Sequence, residues 1–186
     1  MTAPVLPFQV TDVFKLRGID VSTHQAPIVY DPSQLDFVIA RASYGDRPDF
    51  TAAAHAGRVL DRKRPDGTHA AFGTYVFLRH GTAANSKPAA QIRAAREGLE
   101  AAQDRWGSEP GTRPGVVWLD LEENSQFDGA FSAARAAAIY EEVRADLARD
   151  YSLGIYTAPG WFRQQFPAPS PAWRELPYWL AHWGAA

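Results

Sequence analysis

The sequence predicts an α/β fold, a parallel sheet with helices packed outside it, from three observations. Short apolar or β-branched runs alternate with longer Ala-rich runs, strand then helix, along most of the chain. Acidic side chains sit where several of the strand runs end, and in parallel β/α architectures the C-terminal strand ends carry the chemistry. No internal repeat or low-complexity tract interrupts this order.

Taken in order, Gly18-Ile19-Asp20-Val21 is a first strand, an apolar run broken by one acid. Residues 36–42 are β-branched and apolar and form a second, stopping at Tyr44-Gly45-Asp46. Residues 51–64 are Ala-rich and read as a helix that closes on basic residues and Pro65. Residues 72–78 are a third strand and 88–103 a helix. Val116-Val117-Trp118-Leu119-Asp120-Leu121 is a fourth strand. Residues 130–149 carry apolar and charged side chains at helical spacing. Residues 153–157 form a fifth strand, 161–166 a short helix and 177–181 a sixth strand. The Gly- and Pro-containing stretch 106–114 suits a connection and is too short for an interdomain linker. The expectation is one domain spanning residues 1–186.

Composition narrows the function. The 186 residues are 46% hydrophobic, enough for one well-packed domain. The net charge is −2, from 19 basic and 21 acidic side chains, without the cationic excess that phosphate binding needs, so no nucleic-acid partner is expected. There is no cysteine, which excludes disulfides and thiolate metal sites. Residues 1–13 lack the basic start and apolar run of a secretory signal. No stretch reaches the roughly 20 apolar residues needed to cross a bilayer, so no membrane role is expected. The histidines His55, His69 and His80 lack metal-site spacing and read as surface or structural. The serines lack a G-x-S-x-G elbow.

The chemistry concentrates at Asp120-Leu121-Glu122. In a strand, residues i and i+2 share a face, so both carboxyls project together with Leu121 opposite. Like charges so placed raise at least one pKa and leave a protonated acid beside an ionised partner. Glycoside hydrolysis needs that combination: a proton for the leaving oxygen and a negative charge near an oxocarbenium-like centre. The alternative is a solvated strand end. Asp20 is a third acid inside an apolar run, costly to bury unless paired or used; its alternative is a turn cap with Ser22 and Thr23.

Six segments resemble the successive strand motifs of glycoside hydrolase family 25: Gly18-Ile19-Asp20-Val21-Ser22 with Gln25, residues 37–45, Gly73-Thr74-Tyr75-Val76-Phe77, Trp118-Leu119-Asp120-Leu121-Glu122, Gly154-Ile155-Tyr156-Thr157 and Tyr178-Trp179-Leu180-Ala181-His182. They fall in the family's order and cover nearly the whole chain. The resemblance implies an irregular TIM-like (β/α) barrel and N-acetylmuramidase activity on the β-1,4 bonds of bacterial peptidoglycan glycan strands. It implies Glu122 as general acid/base, Asp120 as the carboxylate that stabilises the reacting sugar directly or by orienting its acetamido group, and Asp20 as the supporting acid. Tyr75, Tyr156 and Trp179 match the cleft aromatics. Arg41 stands where the family often has a basic residue and pairs with a cleft acid or closes the barrel interior. His182 is placed to line the cleft.

No cofactor or metal is implied, and a monomer is expected. The expected place of action is the bacterial cell wall, reached as a phage lysin made in the host cytoplasm or as a protein secreted by another route. Family barrels have eight strands; the chain stops at Ala186 with six visible, so the last two are expected to be missing. A chitinase-like hydrolase would need acids where Gly115 and Trp118 stand. A peptidoglycan-binding barrel without catalysis is the reading from another class.

Overall fold

Six parallel strands pair in chain order, β1 (Gly18–Val21), β2 (Phe37–Tyr44), β4 (Ala71–Phe77), β5 (Val117–Asp120), β6 (Leu153–Thr157) and β7 (Tyr178–Leu180), in a curled sheet that forms a half-barrel. A two-residue strand, β3 (Arg47–Pro48), folds back antiparallel on β2. The structure is a computed structural model and describes residues 16–23, 30–81, 87–107, 115–122 and 131–180. Among these residues β1 and β7 each have one strand neighbour.

Helices α1 (Thr51–Leu60), α2 (Pro88–Trp106), α3 (Ala133–Leu147), α4 (Pro159–Gln165) and α5 (Pro171–Arg174) fill the connections between the parallel strands. Their buried positions follow the helical period. In α1 they include Ala52, His55, Ala56, Val59 and Leu60, and in α2 Gln91, Ala94, Ala95, Gly98, Leu99, Ala102 and Trp106. These stripes meet the convex face of the sheet. Val38 and Ala40 of β2 pack with α1, and Val76, Val117, Leu119, Leu121 and Ile155 pack with α2 and α3. Each Val, Leu or Ile so buried contributes roughly 1.5–3 kcal/mol.

Strand period two then sends the alternate residues to the concave face. In β4, Phe72, Thr74 and Val76 are buried under helices, while Gly73, Tyr75 and Phe77 are only partly covered. The same alternation places Trp118 and Asp120 of β5 on the concave side. At the N-terminal end of the strands this side holds an apolar hollow of about 380 Å³, lined in part by Phe37, Ile39, Gly73, Trp118 and Trp179.

The register breaks once, between Arg41 and Ser43 of β2, where Ala42 is extra relative to β4. Such a bulge re-aims the residues after it. Tyr44 comes to lie opposite Phe77 instead of Leu78, and the Tyr44 and Phe77 rings stack at 4.7 Å. Ala42 meets α2 from behind: a Cβ on Gly98 would lie 1.8 Å from the Ala42 carbonyl oxygen.

Several boundaries depart from the sequence reading. Helix α1 stops at Leu60, not at residue 64. Pro65 has no amide hydrogen and disfavours helix at Arg64, and Arg64 turns to pair with Asp36 at 2.9 Å. Strand β2 runs two residues further than expected, carried by the bulge. Helix α3 begins at Ala133 because Ser132 caps it, accepting from the Arg135 amide. Helix α4 starts earlier than expected, with Pro159 in its first turn, where a missing amide costs nothing. Ala181 lies outside the described residues.

Gly98→Ala should therefore destabilise the fold, although alanine favours an ordinary helix interior. Forcing α2 off β2 is overpacking, which typically costs about 1–3 kcal/mol. A urea-unfolding midpoint equal to the parent's would show that α2 has room to shift.

Candidate active site

Strand β1 delivers Asp20, β2 Arg41, β4 Tyr75, β5 Asp120 with Glu122 just beyond it, β6 Tyr156 and β7 Trp179. The register aligns these positions: Arg41 lies beside Tyr75, Phe77 beside Asp120, Asp120 beside Tyr156, and Tyr156 beside Trp179. Seven of the eight residues expected from the sequence to form the site thus stand on one concave face. His182, like Gln25, lies outside the described residues.

Asp120 is 4% exposed, and its Oδ1 makes no hydrogen bond. Burial first, then the charges of Glu122 and Asp20, push its pKa well above the ordinary aspartate value, and Arg41 draws it back in part. Glu122 is half-buried and its pKa is also raised, by burial and then by the charge of Asp20. Asp20 keeps exposed surface at the sheet edge, yet the protein around its carboxyl raises its pKa by desolvation. Leu121, between the two acids in sequence, is fully buried on the helical side. Asp120 therefore feels the charges of both Glu122 and Asp20, and Glu122 feels that of Asp20.

The tyrosines report the same crowding. Burial raises the Tyr156 pKa, and Glu122, Asp120 and Asp20 raise it further. Burial likewise raises that of Tyr75; Asp120 and Asp20 add to the rise, while Arg41 and a hydrogen bond with Ser22 oppose it. Trp179 meets Tyr156 edge-to-face at 4.8 Å and Trp118 at 5.7 Å, making an aromatic corner beside the acids.

Sequence reasoning missed Asp49. Its Oδ2 accepts from Arg41 Nε at 3.0 Å and from the Thr23 amide at 3.2 Å, and its Oδ1 accepts from the Thr51 amide and hydroxyl. Burial would raise the Asp49 pKa, but the bonds from Thr23 and Thr51 and the charge of Arg41 together hold it below the ordinary value. Asp49 thus ties the end of β1, the middle of β2 and the start of α1. The turn after β1 is closed by Asp49, which takes the Thr23 amide. Arg41 forms its ion pair with Asp49, an acid outside the expected set, and its guanidinium lies 5.2 Å from the Tyr44 ring centre. The Asp49-Phe50-Thr51 spacing before a helix was the available signal, since acids so placed bond amides of the first turn.

Of the three histidines read as surface or structural, His55 and His80 are buried and His69 is partly buried. His55 Nδ1 bonds the Tyr30 hydroxyl at 3.0 Å, and His80 Nε2 bonds the Glu122 carbonyl oxygen at 2.8 Å. Among the described residues no group of three or more His, Asp or Glu side chains is placed to hold a metal ion, and no helix is long and apolar enough to cross a membrane.

No protein-family model matches the sequence, and no curated protein matches it. Solved structures do share the fold. The modular autolysin LytC from Streptococcus pneumoniae superposes with a TM-score of 0.59 at 13% identity, over 83% of this chain and 35% of its own. LytC in complex with a synthetic peptidoglycan ligand gives 0.58 at 14% identity, with the same coverage. The modular Cpl-1 endolysin complexed with a peptidoglycan analogue gives 0.54 at 16% identity, over 91% of this chain and 45% of its own. The chain thus spans less than half the length of these structures.

The raised carboxyls fix the sign of a stability effect. A group whose pKa is higher in the fold than in the unfolded chain supports folding fully below its unfolded value, and that support is lost as pH rises through the folded value. Asp20, Asp120 and Glu122 are of this kind. Asp49 is the opposite, and its contribution is lost as pH falls through its lowered pKa. Asp120→Asn should therefore unfold at a higher temperature than the parent near pH 7, and the difference should vanish below about pH 3, where aspartate is neutral in both states. A melting-temperature difference that stays constant across that range would remove the buried charge as its cause.

Proposed function

We propose that the chain is a glycoside hydrolase of bacterial peptidoglycan, an N-acetylmuramidase of the lysozyme type, with Glu122 as general acid/base. The observation that carries the reading is the cluster of Asp20, Asp120 and Glu122 on one concave face, each with a raised pKa, beside the aromatic corner of Tyr156 and Trp179. The likeness of fold to LytC and Cpl-1, both solved with peptidoglycan ligands, supports the choice of polymer.

The chemistry follows from the electrostatics. Three crowded carboxyls resist full ionisation, so the cluster holds a proton to higher pH than an isolated carboxyl would, and half-buried Glu122 is the member best placed to hand it to a leaving oxygen. As the glycosidic bond breaks, positive charge develops at the sugar. Asp120 and Asp20, as carboxylates, stabilise that charge until water adds to the sugar carbon and returns a proton to Glu122. Asp120 does so directly or by orienting the sugar's acetamido group. Tyr75, Tyr156 and Trp179 offer ring faces and hydroxyls to the sugar, and Arg41 keeps the Asp120 proton from being held too tightly. The chain 1–186 is one catalytic domain in this reading, acting as a monomer at the cell wall.

Three outcomes test it. Purified peptidoglycan should yield fragments with new reducing ends at muramic acid, and Glu122→Gln should lower their rate of release by about 10²–10⁴-fold without lowering the melting temperature. Release of free amino groups instead would mark an amidase or peptidase. Because acid-assisted hydrolysis of a glycoside draws on no metal, a chelator should leave the rate unchanged. A loss restored by a divalent ion would contradict the mechanism.

A further inference from the structure

Beyond the acids themselves, the chain that carries Glu122 is held from behind. His80 follows the end of β4, is 1% exposed, and reaches Glu122 of the neighbouring strand end at 2.8 Å. The contact is to the backbone carbonyl, which only accepts, so Nε2 carries the proton and donates. The imidazole is boxed in by rings: Phe131 stands edge-on at 5.0 Å and Trp161 of α4 stacks at 6.4 Å. Phe131 and Trp161 also meet each other at 5.3 Å.

The position of His80 is set one residue earlier. Gln91 of α2 is fully buried, and its side-chain amide bonds the backbone of Arg79 twice, accepting from its N–H at 2.9 Å and donating to its carbonyl at 2.7 Å. Two bonds to one residue's backbone fix its orientation as a strand partner would, though β4 has ended at Phe77. A second tie acts at Leu121, whose amide donates to the Tyr156 carbonyl and whose carbonyl accepts from the Thr157 hydroxyl at 2.7 Å. Glu122 lies past the last residue of β5, where ladder bonds no longer hold the chain.

We propose that His80 is a positioning residue for Glu122: its Nε2–H anchors the Glu122 carbonyl, Gln91 aims it through Arg79, and the anchor holds the Glu122 carboxyl at the concave face. The catalytic part of this rests on the muramidase reading; the anchoring part does not. Without the bond, the chain after Leu121 swings outward, water reaches the carboxyl, and desolvation no longer raises its pKa. The groups that face Glu122 are Asp20 from β1, Asp120 from β5 and Tyr156 from β6, with Arg41 from β2 and Tyr75 from β4 acting on Asp120 beside it. None of them is altered by changes at residue 80.

The test separates the bond from the packing. His80→Phe keeps a ring against Phe131 and Trp161 but has no donor, whereas His80→Gln keeps a donor and loses the ring. The Glu122 carboxyl is titrated by carbon NMR, assigned by its loss in Glu122→Gln, and reducing-end release is measured on purified peptidoglycan. In His80→Phe the Glu122 titration should move down toward the ordinary value of 4.5. The alkaline limb of the rate profile should follow it, since a general acid acts only while protonated, and kcat should fall about 10- to 100-fold with KM little changed, as for a misplaced catalytic group. His80→Gln should restore most of both. A His80→Phe protein with the parent's titration and kcat overturns the proposal. So does a folded His80→Gln as impaired as His80→Phe, since a restored donor would then have restored nothing. Should His80→Phe fail to fold, His80→Gln decides by itself: a parental titration supports the anchor and a shifted one refutes it. A parent that releases no reducing ends refutes the muramidase reading, and the titration still decides the role of His80.

Discussion

Like charge held close together on a curved sheet governs this molecule. Asp20, Asp120 and Glu122 come from two strands that are not neighbours, yet the charge of Asp20 raises the pKa of both of the others. Such an arrangement is unfavourable in isolation and persists because the backbone beneath it is fixed by other forces. The guanidinium of Arg41 offsets part of the repulsion at Asp120, but Asp49 already bonds its Nε, so its charge is shared between two acids. The result is partial neutralisation. A fully compensated cluster would be ionised and inert as a proton source; an uncompensated one would oppose folding.

The forces that hold the cluster lie on the opposite face. The polar and tyrosine side chains of the concave face alternate with residues buried under helices: Val21 beside Asp20, Ala40 beside Arg41, Val76 beside Tyr75, Leu119 and Leu121 around Asp120, Ile155 beside Tyr156. Apolar burial on the convex side therefore sets the geometry of polar groups on the concave side. Where the ladder gives out, at the strand ends, side chains hold the backbone in its place, Gln91 on Arg79, Thr157 on Leu121 and Asp49 on Thr23.

Much of this was legible in the residues, and what was not has a physical reason. The strand-then-helix order, all six parallel strands and the i, i+2 placement of Asp120 and Glu122 follow from periodicity, which local sequence states directly. The convergence of Asp20 with those two acids needed the curvature of the sheet, and it was reached through motif resemblance rather than spacing. Asp49 and Gln91 were passed over, and His80 was read only as surface or structural, because each acts on a backbone atom far along the chain: Gln91 is twelve residues from its partner Arg79, and His80 is forty-two from Glu122. Nothing in the residue type of Arg79 or Glu122 signals such a bond, since any residue offers the same carbonyl. Helix ends were misplaced for a kindred reason, because Ser132, Pro65 and Pro159 act through single-residue stereochemistry that a periodic pattern does not contain.

The bulge at Ala42 joins two regions that otherwise have separate histories. Its carbonyl presses on the bare backbone of Gly98, in a helix that contributes nothing to the hollow, while its displacement of the strand brings Tyr44 round to Phe77 and Arg41. A lineage in which position 98 acquired a side chain would have to straighten β2, and straightening β2 would turn Tyr44 away. Drift at the back of the domain is thereby answerable to the front. The same contact means that insertions and deletions in β2 are filtered more severely than substitutions, because one residue more or fewer exchanges the inward and outward sets for the rest of the strand.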